Sequence, residues 1–309
     1  MKRVIIFGES MIELSAIDSQ TYRKSFAGDA HSTAIYLKRS GREYIDCLLL
    51  SAIGNDHHSA MLKSVLKEEN ITIDLLIEHP NKTLGLYDIT NDDNGERYFS
   101  YWRDNSAARD TIELLMENTN LQKNLHCDYF FFSGISLAIL NKSSRLSLWK
   151  IIKQLKKQGT TIIFDPNYRQ RLWGSPLQAK DCITTAINLS DIILPGMDDL
   201  KDLFSLSNFD AVKKFIGIFE YNKIWVVKNG ANSIFFHSEE VSFMYPINPI
   251  KAVVDSTAAG DSFNGSFISA IIRNKDITEA MKYATNIARR VIQHRGAILP
   301  KEDYHYTIN

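Results

Sequence analysis

The residues best suited to chemistry lie in the segment DSTAAGDSF, residues 255–263. Small residues precede Asp261, and apolar residues recur after it at helical spacing, so the segment predicts a helix that begins with a turn of small residues. The unpaired backbone N–H groups of a first helical turn, together with the positive end of the helix dipole, favour an anion such as phosphate. An aspartate in that turn can cap the helix or act as a base.

The elements that must position this turn follow from alternating patterns along the chain. Strand-like apolar segments at residues 3–8, 129–133, 161–165, 191–194 and 224–228 alternate with helical patterns at 31–39, 144–157, 179–189, 210–220 and 278–293. This alternation predicts an α/β fold with a doubly wound, mostly parallel sheet flanked by helices. Residues 11–26 and 83–103 instead have strand character, the second with a hairpin turn at 92–95, and together predict a small β-sheet lid. Because no repeat or low-complexity linker interrupts the sequence, we expect residues 1–309 to form one domain.

Composition excludes several classes of protein. Lys plus Arg and Asp plus Glu number 36 each, so no overall field would draw the chain to nucleic acid or to an anionic membrane. No apolar segment is long enough to span a bilayer, and the N-terminus lacks the pattern of a signal peptide. The three cysteines, Cys47, Cys127 and Cys182, are far apart and form no CxxC pair, which indicates reduced thiols in a cytoplasmic protein.

The segment around Asp261 resembles the second sequence motif of the PfkB, or ribokinase-like, sugar kinases. This chain has Ala258 where the first glycine of that motif usually stands. The resemblance implies that Asp261 is the catalytic base and that the amides of Ala259 and Gly260 stabilise the transferring phosphoryl group. Ala258 keeps its amide, but its side chain restricts the backbone of the turn.

The resemblance covers nearly the whole chain and is closest to the subfamily that phosphorylates 2-keto-3-deoxygluconate. The matching segments, in order, are GESMIEL at 8–14, AGDAHSTAIYL at 27–37, SAIGNDHHS at 51–59, GLY at 85–87, GERYFSYWRDNSAA at 95–108 and HRGAILP at 294–300. The resemblance implies a ribokinase-like fold, ATP and Mg²⁺ as cofactors, and a small sugar acid as the substrate that is phosphorylated at its 6-hydroxyl.

Tyr101 and Arg103 lie two residues apart and share one face if they belong to a lid strand. A guanidinium binds carboxylate oxygens in a paired fork, so Arg103 suits a keto-acid; without the family context it could be a solvated strand charge. Tyr87 is either a core aromatic residue or a contact to a substrate hydroxyl. Trp102 would point the other way and pack or contact another subunit, since exposed lid strands favour a homodimer or a higher homo-oligomer.

The segment DPNYR at 165–169 follows an apolar strand and therefore faces the cleft at the carboxyl end of the sheet. The resemblance implies that Asn167 lies near the phosphates or their metal and that Arg169 contacts the substrate. The alternative is a Pro-containing turn in which Arg169 is solvated. The resemblance also places Gly28 and Asp29 in the sugar-binding turn, although Asp29 could instead cap the helix that begins near His31. Ser32 and Ala27 depart from the subfamily, which usually has Asn and Gly there.

The turn after the strand at 224–228 borders the nucleotide in this family. The resemblance therefore assigns Lys228, Gly230 and Ser233 to the ATP site, with Ala258 and Gly260 at the phosphates and Asn286 near adenine. Asn229 and Gly230 alone predict a type I′ hairpin turn. Magnesium should be held mostly by water and phosphate oxygens, and no protein ligand is assigned. Many relatives have an N-x-x-E segment where this chain has Gly196 and Asp199.

Three alternatives compete with the interpretation as a sugar-acid kinase. Another PfkB kinase could act on a neutral ketose such as fructose or on a different sugar acid. A sensor could bind sugar or nucleotide without transferring phosphate. A Rossmann dehydrogenase is disfavoured, because the first strand is followed by GESMIE and not by a G-x-G-x-x-G turn.

Overall fold

The computed structural model describes residues 1–18, 20–91, 97–220, 222–250 and 253–304. The strands are β1 (Lys2–Phe7), β2 (Met11–Ala16), β3 (Tyr22–Ala27), β4 (Ile45–Ile53), β5 (Leu76–Glu78), β6 (Gly85–Asn91), β7 (Arg97–Trp102), β8 (Tyr129–Ser133), β9 (Thr161–Asp165), β10 (Ile192–Ile193), β11 (Ile224–Asn229), β12 (Ser233–His237) and β13 (Ser242–Pro246). The helices are α1 (Asp29–Gly41), α2 (His57–Glu68), α3 (Thr111–Glu117), α4 (Thr119–Lys123), α5 (Gly134–Ala138), α6 (Lys142–Lys157), α7 (Pro176–Leu189), α8 (Met197–Phe204), α9 (Phe209–Ile216), α10 (Ala259–Ile272) and α11 (Ile277–Val291).

Nine strands form the main sheet, in the order β13-β12-β11-β10-β9-β8-β1-β4-β5. Its pairs are parallel except those that β12 makes with β11 and β13. Side chains alternate along β1, so that Val4 and Ile6 join one apolar core while Ile5 and Phe7 join the other. Helices α1, α2, α10 and α11 cover the first core, and α3, α6, α7, α8 and α9 cover the second. The predicted doubly wound α/β fold is confirmed.

The predicted lid segments form a separate four-stranded sheet in the order β3-β2-β6-β7, which we call the lid sheet. Strands β2 and β6 are parallel, and the other pairs are antiparallel. The register places Tyr87 opposite Glu13 on one side and opposite Tyr101 on the other. The predicted turn at 92–95 lies outside the described residues.

Several predicted boundaries differ from the observed ones for local reasons. Helix α1 begins at Asp29, two residues earlier than predicted, because Gly28 adopts a φ of 126° and serves as its N-cap. Helix α9 ends at Ile216, before the predicted limit, and Gly217 follows it. Within the described part of the chain, no helix is long and apolar enough to cross a membrane.

Helices α1 and α10 pack in unusually close contact at Gly265. A Cβ atom added to Gly265 would lie 2.5 Å from the Thr33 carbonyl oxygen and 2.6 Å from the Leu37 nitrogen. Only glycine allows two helix backbones to approach so closely without displacement. The two helices begin at the same cavity, with Asp29 at the start of one and Asp261 in the first turn of the other.

Candidate active site

A cavity of about 890 Å³ lies between the carboxyl ends of the main-sheet strands and the lid sheet. Most of the predicted site residues line it, namely Gly28, Asp29, Tyr87, Tyr101, Arg103, Asn167, Arg169, Lys228, Gly230, Ala258, Ala259, Gly260 and Asp261. The structure therefore brings together segments that are separated by more than two hundred residues in the sequence. This location agrees with the rule that open α/β sheets bind ligands beyond the carboxyl ends of their strands.

The turn before α10 has the form that an anion site requires. Ala258 is the N-cap and adopts the left-handed conformation, with φ 58° and ψ 16°. The N–H of Ala259 donates to the Ser256 carbonyl at 3.3 Å. Among the described residues, the N–H groups of Gly260 and Asp261 have no backbone acceptor. These two amides are therefore the ones available to an anion. The amide of Ala259 is less available than predicted, because it already donates to Ser256.

Asp261 opens on the cavity from the first turn of α10. Burial raises the pKa of its carboxyl well above the usual value, and the charges of Asp29 and Asp165 raise it further. Lys228 and Arg169 act in the opposite direction on the same pKa. A carboxylate with a raised pKa is a stronger base once it is deprotonated, which suits proton abstraction from a hydroxyl.

Lys228 lies at the centre of a buried polar network beside this turn. Its ammonium donates to Asn264 Oδ1 at 2.8 Å and to Asp165 Oδ2 at 3.2 Å, and Asn264 Nδ2 donates to the same Asp165 oxygen at 2.6 Å. The Lys228 Nζ atom is 4.0 Å from the position that a Cβ on Gly260 would take. A fixed positive charge therefore stands next to the free amides. The sequence analysis did not identify Asn264 or the role of Asp165, because the network joins three elements that are distant in the sequence, namely β9, β11 and α10.

Asp29 does not cap α1, contrary to one of the two predicted roles. The helix starts at Asp29 itself, and no side chain caps its first turn. The Asp29 carboxylate instead accepts hydrogen bonds from Ser133 Oγ and, at 3.2 Å, from Asn167 Nδ2. Asn167 adopts a φ of 31°, which directs the DPN turn toward the cavity. Asp29 is thus held as part of the cavity wall.

Arg103 is buried, so the alternative of a solvated strand charge is wrong. It follows β7 directly, is only 6% exposed, and forms an ion pair with Glu9, which is 2% exposed. The sequence analysis did not identify Glu9, because its partner Arg103 lies 94 positions away in the sequence. The only local signal was the position of Glu9 just after β1, in the segment Gly8-Glu9-Ser10. A guanidinium held in this way keeps a fixed orientation toward the cavity.

Tyr87 is also buried, with its hydroxyl donating to Glu13 Oε2. Burial and the neighbouring Glu13 raise the pKa of Tyr87 above its usual value. Tyr101 is 44% exposed, lines the cavity, and packs against Tyr87 in a tilted arrangement with ring centroids 5.7 Å apart. The Arg171 guanidinium lies 5.9 Å from the centre of the Tyr101 ring, which places a further positive charge at this end of the cavity. Trp102 is 60% exposed.

Asp199 lies beside Arg169 on the wall of the cavity. Its two oxygens accept hydrogen bonds from the backbone N–H of Tyr168 and of Gly196. Burial, with a contribution from Asp165, raises the pKa of Asp199 to about 6. The Arg169 side chain is exposed over 57% of its surface, and its guanidinium is 3.7 Å from Asp199 Oδ1. Asp199 therefore fixes the loop that carries Arg169.

The predicted nucleotide wall is only partly assembled from the expected residues. Gly230 and Ala231 line the cavity, whereas Ser233 and Asn286 do not. Ser233 pairs with Asn229 at the start of β12, so three residues connect β11 and β12, and the predicted two-residue type I′ turn is wrong. Gly230 alone in this loop has positive φ. On α11 the lining residues are Thr285, Ala288 and Arg289, and Asn286 lies at the edge of the face that they share.

Comparisons with known proteins identify the family of this chain. The chain matches the family model described as pfkB family carbohydrate kinase over residues 1–303. It is 36% identical over 308 residues to the 2-dehydro-3-deoxygluconokinase of Dickeya dadantii (strain 3937), covering 97% of this chain and 98% of that protein. The 2-dehydro-3-deoxygluconokinase of Haemophilus influenzae is also 36% identical, over 97% of this chain and 96% of its own length.

Solved structures show the same fold. The fructokinase from Vibrio cholerae O395, in its fructose, ADP and calcium ion bound form, superposes with a TM-score of 0.82 at 23% identity. That match covers 96% of this chain and 94% of the fructokinase chain. With a family model that spans nearly all of its length and a ribokinase-like fold around Asp261, this chain belongs to the pfkB family of carbohydrate kinases.

Proposed function

We propose that this chain is an ATP-dependent kinase that phosphorylates the 6-hydroxyl of 2-keto-3-deoxygluconate (2-dehydro-3-deoxygluconate). The observation that carries the proposal is that one cavity contains both Asp261, at the start of α10, and the buried guanidinium of Arg103. The first group suits a hydroxyl acceptor, and the second suits the carboxylate of a sugar acid. The two relatives that are 36% identical carry the name of this activity.

In the proposed reaction Asp261 accepts the proton of the 6-hydroxyl. The hydroxyl oxygen forms a bond to the γ-phosphorus of ATP, the bond from that phosphorus to the bridging oxygen breaks, and ADP leaves. The amides of Gly260 and Asp261 and the ammonium of Lys228 stabilise the negative charge on the transferring group. Lys228 has three N–H donors, and its bonds to Asp165 and Asn264 account for two of them.

Tyr101 and Arg169 complete the proposed sugar-acid site together with Gly28 and Asp29, and Tyr87 supports it from the lid sheet. Closure of the lid sheet over the cavity would exclude water, which competes with the sugar as phosphoryl acceptor. We also propose that residues 1–309 form one kinase domain, with the lid at residues 11–26 and 83–103. A single cooperative unfolding transition would support this, and two separate transitions would contradict it.

Magnesium fits the chemistry of this cavity, because oxygen donors line it. Asp198 is exposed on the cavity wall, while both oxygens of Asp199 already accept backbone hydrogen bonds. We therefore assign the ion mainly to phosphate oxygens and water, with the exposed Asp198 carboxylate as a candidate protein ligand. When bound, the ion neutralises part of the triphosphate charge.

The lid sheet also supports a proposal for assembly. Tyr98 and Trp102 on β7 are 52% and 60% exposed, and an edge strand with exposed aromatic side chains favours association with a second copy. We propose a homodimer through this edge. Light scattering should give twice the monomer mass for the wild type and the monomer mass for Trp102→Glu; a monomeric wild type would contradict the proposal.

The function is tested by ADP release from ATP and Mg²⁺ with 2-keto-3-deoxygluconate, fructose, ribose and gluconate as parallel acceptors. We expect rapid turnover confined to the keto-acid, with ³¹P NMR placing the new phosphate on the 6-oxygen. Turnover with fructose or ribose would retain Asp261 and overturn the carboxylate assignment. Tight ATP binding without turnover of any acceptor would instead indicate a sensor.

A further inference from the structure

Three buried polar atoms at the lid end of the cavity have no hydrogen-bond partner among the described residues. They are Glu9 Oε1, Ser32 Oγ and Arg103 Nε. The residues that carry them are all at least 94% buried, and all three line the cavity. A buried polar atom without a partner destabilises a protein, and it does so more strongly when it is charged. Three such atoms on one wall indicate a ligand that supplies their partners.

The chemistry of these atoms specifies that ligand. Arg103 Nε is a donor and requires an acceptor oxygen, whereas Glu9 Oε1 is an acceptor and requires a donor when the carboxylate is ionised. Ser32 can serve in either role. The partner must therefore present acceptor oxygens and a hydroxyl close together. A sugar acid does so, because its carboxylate and its nearest hydroxyl are separated by only a few bonds.

The structure preserves space for Glu9 Oε1 in particular. A Cβ atom added to Gly85 would lie 2.6 Å from this oxygen and 3.1 Å from the Arg103 Cβ. The other oxygen, Oε2, holds the guanidinium of Arg103. Glu9 thus has one oxygen committed to positioning the arginine and one oxygen without a described partner.

We infer that Glu9 is a specificity-determining residue that orients Arg103 through Oε2 and accepts a hydrogen bond from the 4-hydroxyl of the substrate through Oε1. This inference rests on the proposed function. In 2-keto-3-deoxygluconate the 4-hydroxyl is the hydroxyl nearest to the carboxylate, since carbon 3 carries none. A carboxylate acceptor also repels an oxygen that has no proton, so Glu9 favours a hydroxyl at this position over a keto group.

The test combines a substrate series with one variant. Wild-type enzyme is assayed with 2-keto-3-deoxygluconate, with its 4-deoxy analogue and with its 5-deoxy analogue, and the series is repeated with Glu9→Gln. Loss of one hydrogen bond to a charged group is expected to lower kcat/KM by about 10- to 100-fold. We expect this loss for the wild type with the 4-deoxy analogue and for Glu9→Gln with the full substrate, mainly through KM, with the KM for ATP unchanged.

The decisive result is whether the two losses combine. If Glu9 contacts the 4-hydroxyl, removing that hydroxyl from the substrate lowers the kcat/KM of Glu9→Gln little further. Removing the 5-hydroxyl still lowers the kcat/KM of the variant by the same factor as in the wild type. Independent, multiplicative losses would overturn the inference, and so would a wild type that accepts the 4-deoxy analogue as well as the full substrate. A purely structural role for Glu9 would affect all three substrates alike.

Two controls separate the possible failures. Glu113→Gln changes an exposed glutamate on α3 outside the cavity lining and should match the wild type in all three assays. Gly85→Ala perturbs the same oxygen in a different way, because the added methyl group must displace Glu9 Oε1. This variant should show the same loss of kcat/KM that depends on the 4-hydroxyl. If Glu9→Gln does not fold, the wild-type series and Gly85→Ala still decide the matter. No turnover of 2-keto-3-deoxygluconate by the wild type would overturn the proposed function and this inference together.

Discussion

The two ends of the cavity differ in how their polar groups are satisfied. At the transfer end, defined by Asp165, Lys228, Asn264 and Asp261, the side chains of Asp165, Lys228 and Asn264 pair with one another through hydrogen bonds of 2.6–3.2 Å. At the acceptor end, defined by Glu9, Ser32, Tyr101 and Arg103, three buried atoms have no partner in the described residues. The difference indicates that the transfer end is preorganised before substrate binds, whereas the acceptor end is completed by the substrate. Substitutions at the first should therefore lower kcat, and substitutions at the second should raise KM.

The largest effect is expected at Asp261. Asp261→Asn removes the base and should lower kcat by about 10³-fold, as is typical for loss of general base catalysis. ATP binding, measured by calorimetry, should persist because the variant keeps the backbone amides of the turn. A kcat within tenfold of the wild type would exclude Asp261 as the base.

Lys228→Met should lower kcat by about 10²-fold, because a fixed charge beside the transferring phosphoryl group is lost. The same change should shift the pH profile, since Lys228 lowers the pKa of Asp261 and its removal raises that pKa. Activity requires the deprotonated base, so the acidic limb of kcat/KM should move to higher pH. Lys123→Met, an exposed substitution on α4, is the matched control and should leave the profile in place. If kcat fell but the acidic limb of kcat/KM stayed at the same pH, the proposed electrostatic coupling between Lys228 and Asp261 would be contradicted.

Arg103→Lys should raise the KM for 2-keto-3-deoxygluconate by about 10- to 100-fold, because an ammonium lacks the paired fork that holds a carboxylate. The change should leave kcat and the KM for ATP nearly as in the wild type, which steady-state kinetics can separate. A drop in kcat with unchanged KM would place Arg103 at the transfer end and break the distinction between the two ends.

The smallest effect is expected at Ala258, where an L-residue adopts φ 58°. Glycine at this position avoids the cost of the left-handed conformation, which is about 1–2 kcal/mol, but loses part of that gain to greater freedom in the unfolded chain. Ala258→Gly should therefore raise the free energy of unfolding by about 0.5–1 kcal/mol, read from the midpoint of urea denaturation. Ala258→Val should lower it; an opposite order of the two variants would show that the turn is not strained.

Local patterns were sufficient to predict what depends on a few neighbouring residues. The alternation of strands and helices predicted the sheet, and the small residues before Asp261 predicted the start of α10. The partners of Arg103 and Lys228 could not be predicted in the same way, because Glu9 and Asn264 reach them only through the tertiary fold. Asn286 shows a further limit, since a helix places adjacent residues about 100° apart and an error of one position moves a side chain out of the cavity lining.

Gly265 sets the distance between the first turns of α10 and α1 through a contact outside the cavity. Its missing side chain lets the backbones of α10 and α1 meet, and their first turns carry Asp261 and Asp29. The separation between the proposed base and the proposed sugar-binding turn is thus set by the thickness of two bare backbones, a dimension that no rotation of side chains can change. Enlarging residue 265 by one methyl group would alter the alignment of the reacting partners without touching either of them.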